Sequence, residues 1–308
     1  MTAVQTSAPA LIRPSASDVD RIVAAALAED APWGDVTSQA LIPEDARAEA
    51  RIVAREPGTF CGEQVIEAAM RLTDFRITVT FQVSDGEAFD AGAVLAVVDG
   101  PARSVLTAER VALNLAQRLS GITTLTRRFV DEVAGTGARV VDTRKTTPGL
   151  RVLERYAVRC GGGANHRFSL SDAVMAKDNH LAVLTRGGTV GLTEALREAK
   201  RRIPHTVHVE VEVDRLDQIE PVLAAGVGTI MLDNFSLEDL EAGVKQVAGR
   251  ALVEASGNVR LETIGAIART GVDIISSGAL THSVRALDLG LDIQIDAVAG
   301  AAAEDGRR

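Results

Sequence analysis

Three kinds of side chain recur where short apolar runs of this 308-residue chain give way to polar tips: cations, carboxylates and small Ser/Gly pairs. The cations are Arg144 and Lys145 in ARVVDTRK and Lys177 in AVMAKDNH. The carboxylates are Glu212 in HVEVEVD and Asp233 in GTIMLDN. The small groups are Ser256, Gly257 and Asn258 in ALVEASGN, and Ser276, Ser277 and Gly278 in DIISSGA. Arg and Lys bind carboxylate or phosphate, Arg with a bidentate fork. Paired carboxylates can hold Mg²⁺, which usually keeps waters and bridges to substrate phosphates. Ser/Gly turns that open helices offer backbone N–H groups and a favourable dipole to a phosphate. A site built from all three takes an anion, a metal and a phosphate together.

For these tips to converge, the runs before them must be strands of one sheet. From Arg139 onward the rhythm is strand, polar tip, helix. Glu212 to Asp233 spans 21 residues, Asp233 to Ser256 spans 23, and Ser256 to Ser277 spans 21. Even spacing of apolar strands with helical crossovers predicts a parallel sheet closed into a barrel, whose strand C-termini share one mouth. Six strands are visible, so the TIM-like barrel is either incomplete or recruits a further strand. A doubly wound open sheet is the alternative, although no Gly-x-Gly-x-x-Gly follows any strand. The fold class expected is α/β, with a C-terminal α/β barrel over 139–286 and a smaller N-terminal α+β sandwich over 18–106. The sandwich rests on alternating β-branched stretches between residues 48 and 100, read as a small antiparallel sheet. A helix from Ser17 to Asp30 precedes it, and residues 1–17 read as a loose, disordered leader. A linking helix over 107–138 is expected to start at a Thr107 cap and to bury Val111, Leu115, Leu119 and Ile122. The tail, about 287–308, is open to returning to the N-terminal domain.

Several of these residues have a plainer reading. Glu210 and Glu212 alternate with valines and could be the wet face of an edge strand, but helices on both sides in sequence favour burial. Asp233 and Asn234 could cap the helix near Leu237 as well as bind a ligand. The Gly161–Gly163 run before Asn165, His166 and Arg167 could be a simple turn, or could let a ligand approach the backbone; the adjoining polar residues favour the second. Arg110, placed in the first turn of its helix, meets an unfavourable dipole, which suggests a task elsewhere. His180, His205, His208 and His282 lack metal-ligand spacing and read as structural. Neither Cys61 nor Cys160 has a neighbouring base that would make it a nucleophile.

Bulk composition narrows the function classes. Net charge is −9, which argues against a nucleic-acid surface. Yet Arg139–Lys177 carries eight Arg or Lys against three Asp or Glu, a local balance of +5. A basic island in an acidic protein concentrates a small anion, although charge alone fits a solvated basic helix equally well. Apolar runs such as Ile22 to Ala28 fall far short of the roughly 18 residues that a membrane span needs. The N-terminus lacks signal-peptide pattern, and two Cys imply no disulfide framework, so a cytoplasmic location is expected.

Taken together, these segments resemble the quinolinate phosphoribosyltransferase family. The stretches that carry the resemblance are EDAPWGDVTS (29–38), AREPG (54–58), TAERVALNLAQRLSGIT (107–123), DTRKTTPGLRVLERYAVRCGGGANHR (142–167), AKDNH (176–180), VEVEVD (209–214), MLDNF (231–235), EASGN (254–258) and ISSGALTHSVRALDLGLD (275–292). It runs from about residue 18 to 295. The departures are the leader and Asn258, which stands where Gly is also common. The resemblance implies a homodimer in which each site borrows an arginine, matched here by Arg55. It implies a quinolinate-binding group matched by Arg110, Thr143, Arg144, His166 and Arg167, and lysines near the phosphoribosyl and carboxylate groups matched by Lys145 and Lys177. Glu212 and Asp233 match the acidic pair near ribose and Mg²⁺, and Ser256–Asn258 with Ser277, Gly278 and Ala279 match the loops at the 5′-phosphate. Lys145, Lys177, Glu212 and Asp233 are then the expected catalytic set. The implied reaction joins quinolinate to phosphoribosyl pyrophosphate with decarboxylation, a step of NAD synthesis. Residue types agree with this chemistry, because a ring that attacks through its own nitrogen needs positioning more than a general base. Rival readings are a related phosphoribosyltransferase with another acceptor, a barrel lyase using Lys145 or Lys177 as a Schiff base, and a non-catalytic anion binder, for which an acidic pair has no use.

Overall fold

The computed structural model describes residues 11–188 and 190–296, which fall into two compact units divided after Thr124 and before Arg285: the described residues up to 124 with those from 285, and the described residues between them. The first unit opens with α1 (Ala16–Asp30), capped by Ser15 and burying Val19, Ile22 and Val23. The helix thus begins inside the stretch expected as a leader, and residues 1–10 of that leader lie outside the described residues. There follow α2 (Val36–Leu41), β1 (Arg47–Ala54), β2 (Gly58–Thr59), α3 (Glu63–Thr73), β3 (Thr78–Phe81), β4 (Ala88–Phe89) and β5 (Val94–Pro101). In β1 the side chains of Ala48, Ala50, Ile52 and Ala54 are buried while Arg47, Glu49 and Arg51 are exposed, the alternation of a sheet with one wet face. The sequence predicts a small antiparallel sheet between 48 and 100, from three alternating stretches with breaks between them. The segment EQVIEAAMRLT, between two of those stretches, is α3, whose buried Val65, Ile66, Ala68, Ala69 and Met70 follow helical rather than two-residue spacing.

The long helix α4 (Ala102–Glu132) starts five residues before the expected cap. Pro101 ends β5 with φ already fixed near the helical value, so no loop intervenes. Thr107 lies within the helix and donates its hydroxyl to the Arg103 carbonyl at 2.8 Å, so it is no cap. Arg110 is consequently two turns in, and the supposed conflict with the helix dipole disappears. The stripe Val111, Leu115, Leu119 and Ile122 is buried as its spacing predicts.

The second unit contains β6 (Arg139–Val141), α5 (Arg151–Cys160), β7 (Val174–Ala176), α6 (Asp178–Leu184), α7 (Leu192–Lys200), β8 (Val209–Val213), α8 (Ile219–Ala224), β9 (Thr229–Asp233), α9 (Leu237–Val247), β10 (Leu252–Ser256), α10 (Leu261–Arg269), β11 (Ile274–Ser276) and α11 (Ala279–His282). The chain then re-enters the first unit as β12 (Leu289–Asp296), which pairs antiparallel with β1 in the order β12-β1-β5-β3. The six strands of the second unit are all parallel, in the order β6-β11-β10-β9-β8-β7. Here the first strand lies against the last. A doubly wound sheet starts its first strand in the middle and reverses direction; this order instead wraps a ring. The ring is interrupted only between β6 and β7. There, Ala164 forms a one-residue bridge to Val141 and gives its amide to the Val140 carbonyl at 2.8 Å. The fold class is therefore α/β, with a barrel lacking one rung in the second unit and an α+β arrangement in the first. No helix among the described residues is long and apolar enough to cross a membrane.

Candidate active site

Strand order fixes which tips are neighbours. Going around the barrel, β6, the 164–167 segment and β7 supply Arg144, Lys145, His166, Arg167 and Lys177. Next, β8 and β9 supply Glu212 and Asp233, and β10 and β11 supply Ser256–Asn258 and Ser277–Ala279. A cationic, an acidic and a small polar arc thus form one ring. The sequence predicts these residues at one mouth: Arg144, Lys145, Lys177, Glu212, Asp233 and both Ser/Gly loops do lie at or just beyond strand C-termini, whereas His166 and Arg167 line a deeper cavity with Glu210, Glu254 and the first residues of four strands, Arg139, Thr229, Leu252 and Ile274.

In the cationic arc, Arg144, Lys145 and Arg167 form no ion pair with any Asp or Glu among the described residues, whereas Lys177 is paired with Glu212. The Arg144 Nε is buried with no hydrogen-bond partner. Arg167 donates Nη1 to the Ala173 carbonyl at 2.9 Å. Burial, and then the neighbouring Arg144 charge, push its guanidinium pKa down. Two adjacent cations with no ion-pair partner, Arg167 feeling Glu210 and Asp172 only beyond ion-pair distance, are costly unless an anion joins them. Thr143 accepts the Lys145 amide through its hydroxyl at 3.1 Å, which fixes the turn presenting both cations.

The acidic arc is built by strand register. Glu210 and Glu212 sit two apart on β8 and both point into the barrel, with valines 209, 211 and 213 buried on the other face. The wet-edge alternative is excluded. Glu212 and Asp233 line one cavity together with Asp178, Asp214, Arg215 and Gln218. Asp233 accepts from the Asn234 side chain at 2.7 Å. Helix α9 is capped by Ser236, whose hydroxyl accepts the Asp239 amide, so Asp233 and Asn234 are not spent on capping.

In the third arc, Gly257 has φ +93° and Asn234 and Asn258 have φ +56° and +49°. A Cβ at Gly257 would lie 2.2 Å from Asn234 Oδ1 and 2.9 Å from its backbone nitrogen. Asn258 in place of Gly is tolerated because asparagine is one of the few residues that adopts the left-handed region readily. Gly278 lies under the Lys145 side chain, where a Cβ would be 2.8 Å from Cδ. The helix after it, α11, is a single turn, and α10 starts three residues beyond Asn258. Loop backbone, more than a macrodipole, is what this arc could offer an anion, with the Ser277 amide already donated to the Val141 carbonyl at 3.1 Å.

The glycine run does not serve a ligand. Gly161 closes α5, Gly162 has φ +88°, and a Cβ on Gly163 would meet Thr126 Cγ2 and Val158 Cγ1 at 2.8 Å. What approaches the backbone is the chain's own helices. The two lysines proposed for Schiff-base chemistry are both exposed, so neither is desolvated as that role requires. His180 accepts the Lys177 amide at 3.0 Å and His208 bonds Thr229 at 2.9 Å, consistent with structural roles.

Beneath the mouth lies a polar interior that the sequence reading missed. Asp142, Glu210 and Glu254 are 0%, 4% and 1% exposed. His166 Nε2 is 3.2 Å from Glu210 and 3.3 Å from Glu254, while Nδ1 accepts the Arg167 amide at 2.7 Å. Burial disfavours a charged His166, but hydrogen bonds and charge from the two carboxylates outweigh it and lift its pKa to about 10. Full protonation would nevertheless set an Nδ1–H against the Arg167 N–H. The extra proton therefore belongs on the carboxylate pair, where burial already pushes Glu210 upward. The same geometry speaks against a cation on this triad: an Nδ1 acting as acceptor leaves the hydrogen on Nε2, where a metal would need the lone pair. The signal available in the sequence was period two, since Glu210 and Glu254 stand two residues before Glu212 and Ser256 on their strands.

Arg55 and Arg110 belong to the first unit. Arg55 is ion-paired with Asp292. Arg110 is 57% exposed along its side chain and meets a carboxylate, Glu109, only at 3.9 Å.

Comparison with known proteins agrees with this architecture. Residues 35–120 match the quinolinate phosphoribosyl transferase N-terminal domain and residues 122–292 its C-terminal domain. A carboxylating nicotinate-nucleotide pyrophosphorylase of Mycobacterium leprae is 44% identical over 276 residues, covering 87% of this chain and 94% of the relative. A chloroplastic counterpart from Arabidopsis thaliana is 41% identical over 307 residues, covering 94% and 86%. Among solved structures, the nicotinate-nucleotide pyrophosphorylase of Francisella tularensis is similar with a TM-score of 0.85 at 38% identity, covering 94% of this chain and all of that one. NadC from Streptococcus pyogenes reaches 0.88 at 40% identity, covering 93% and 100%. With both of its domains matched and a ring of cations, carboxylates and Ser/Gly turns at the barrel mouth, the chain belongs to the quinolinate phosphoribosyl transferase family.

Proposed function

We propose that this chain transfers the phosphoribosyl group of phosphoribosyl pyrophosphate to the nitrogen of quinolinate, with loss of the C2 carboxylate, giving nicotinate mononucleotide, CO₂ and pyrophosphate. The observation that carries this reading is the group of three cations, Arg144, Lys145 and Arg167, that have no carboxylate of their own beside an acidic pair. Two carboxylates on one rigid ring satisfy such a group. A monocarboxylate leaves one of the half-buried arginines unpaired and is rejected on that account.

Arg144 and Arg167 clamp the ring carboxylates, and Lys145, lying over Gly278, stands where ring and sugar phosphate meet. The Ser256–Asn258 and Ser277–Ala279 loops receive the 5′-phosphate, through amides other than that of Ser277, which donates to the Val141 carbonyl at 3.1 Å. Glu212 and Asp233 are hard oxygen donors on adjacent strands lining one cavity, a set that fits Mg²⁺ held by one or two carboxylates together with substrate oxygens. When bound, Mg²⁺ neutralises the charge developing on the departing pyrophosphate. The same carboxylates face the ribose as positive character grows at C1. The pyridine nitrogen attacks C1 without needing a base, so holding the ring in line is the main contribution of the protein. Once ribosylated, the cationic ring accepts the electron pair left by the C2–carboxylate bond.

An arginine lent by a second copy of the chain would complete the clamp in a homodimer. Arg55 must leave Asp292 to serve, whereas Arg110 has only a distant partner and is better prepared to be lent. A cytoplasmic location suits these soluble substrates. The test is release of labelled CO₂ from carboxyl-labelled quinolinate, dependent on phosphoribosyl pyrophosphate and Mg²⁺. Product formed equally from nicotinate would transfer the assignment to another acceptor. Borohydride trapping of Lys145 or Lys177 on a carbonyl substrate would replace it with a lyase.

A further inference from the structure

Where the barrel lacks a rung, the 165–167 segment has no neighbouring strand, yet it carries Arg167, one of the two arginines of the clamp. Backbone groups without a ladder need other partners. Here all four polar groups of residues 166 and 167 are met by side chains. The His166 amide donates to Asp142 Oδ1 at 2.8 Å, and the Arg167 amide donates to His166 Nδ1 at 2.7 Å. The carbonyls of His166 and Arg167 accept from Arg155 Nη2 at 2.6 Å and Nη1 at 3.1 Å. Asp142 and Arg155 are joined in turn by a buried ion pair at 3.1 Å. Asn165 ties both ends, donating to Asp142 Oδ2 at 2.6 Å and to the Arg155 carbonyl at 2.9 Å. The Arg155 guanidinium also lies 5.4 Å from the centre of the Phe168 ring, one residue beyond Arg167.

We infer that Asp142 and Arg155 are positioning residues for acceptor recognition: their buried pair takes the place of the missing strand and sets the spacing between Arg144 and Arg167. The inference rests on the dicarboxylate reading above. Asp142 is two residues from Arg144 in sequence and is wholly buried, so its carboxylate anchors one arginine through the chain and the other through hydrogen bonds. Arg155 is suited to this as lysine is not, because one planar fork reaches a carboxylate and two carbonyls together. The hydrogen-bond partners of the two side chains are each other and residues 165–167, none of them in the acidic or phosphate arcs. Their loss therefore changes the fit of the dicarboxylate and leaves the phosphoribosyl donor largely unaffected.

The test uses Arg155→Lys, which keeps charge and stem but not the fork, and Asp142→Asn, which keeps shape but not charge. Dissociation constants for quinolinate and for phosphoribosyl pyrophosphate with Mg²⁺ are measured by calorimetry on the full chain, with Tm recorded for each variant. The expected result is quinolinate binding weakened about tenfold or more, as displacements near 1 Å in a clamp produce, with donor binding changed less than about threefold. Unchanged quinolinate affinity in the variants, or equal loss for both ligands, would overturn the inference. So would failure of both variants to fold, since the pair would then hold the barrel and not the spacing. If the unaltered protein binds the donor but not quinolinate, the acceptor assignment fails instead.

Discussion

Replacing Gly257 by alanine tests whether the small polar arc is a tight cradle tied to the acidic one. The residue has φ +93°, and a Cβ there meets Asn234 Oδ1 at 2.2 Å, its Cγ at 2.6 Å and its backbone nitrogen at 2.9 Å. An L-residue in that backbone region costs about 1–2 kcal/mol. The Asn234 side chain cannot swing away freely, because Nδ2 donates to Asp233 at 2.7 Å and Oδ1 accepts from Asn258 at 3.1 Å. Losing one of these bonds adds about 1 kcal/mol. A total near 2–3 kcal/mol corresponds to a fall in Tm of roughly 5–10 °C for a unit of this size. Moving Asn234 also moves its partner Asp233, so KM for phosphoribosyl pyrophosphate should rise about tenfold or more while quinolinate affinity holds. Calorimetric melting and steady-state kinetics with each substrate varied in turn read both effects. The double variant Asn234→Gly with Gly257→Ala removes the side-chain clash but not the backbone cost, and should regain about half the stability. A Gly257→Ala protein with unaltered Tm and donor KM would refute the idea that this turn is sterically closed.

Three further outcomes follow from the same geometry. Arg144→Ala, Lys145→Ala and Arg167→Ala should each cost at least about 2 kcal/mol in kcat/KM, roughly 30-fold, and near-normal turnover in all three would remove the clamp from the mechanism. Glu210 has its carboxyl pushed up by burial, first of all, so the folded state holds that proton more tightly than the unfolded chain. Its contribution is then greatest below the ordinary glutamate range and declines as pH rises above it. Glu210→Gln should flatten that decline, and Tm curves of the two proteins that stay parallel from pH 5 to 9 would contradict the assignment. Chelation by EDTA should abolish turnover and added Mg²⁺ restore it, with quinolinate binding to the clamp retained throughout. Turnover that persists after chelation would sink the role given to Glu212 and Asp233.

Much of this molecule is written in local pattern. Valines alternating with Glu210 and Glu212, and apolar runs ending every 21 to 23 residues, identify parallel strands and their polar tips because strand periodicity and crossover length are properties of adjacent residues. The stripe on α4 is visible for the same reason. The start of that helix was not, because Thr107 resembles a cap until Pro101 is seen to join strand and helix directly. Nor could sequence decide between ligand and cap for Asp233, since only the structure shows Ser236 taking the capping position. The glycine run, read as room for a ligand, is room for helix packing. The ring itself, with first strand against last and a rung missing, depends on pairing between residues more than a hundred positions apart. The buried partners of His166 are nearer in sequence but equally tertiary: a hydrogen bond between Asp142 and the 166 amide joins residues 24 apart, and no spacing of residue types contains it. Sequence set which charges the mouth would carry, through periodicity; tertiary structure decided which of them are left without partners, because pairing is settled by proximity in space.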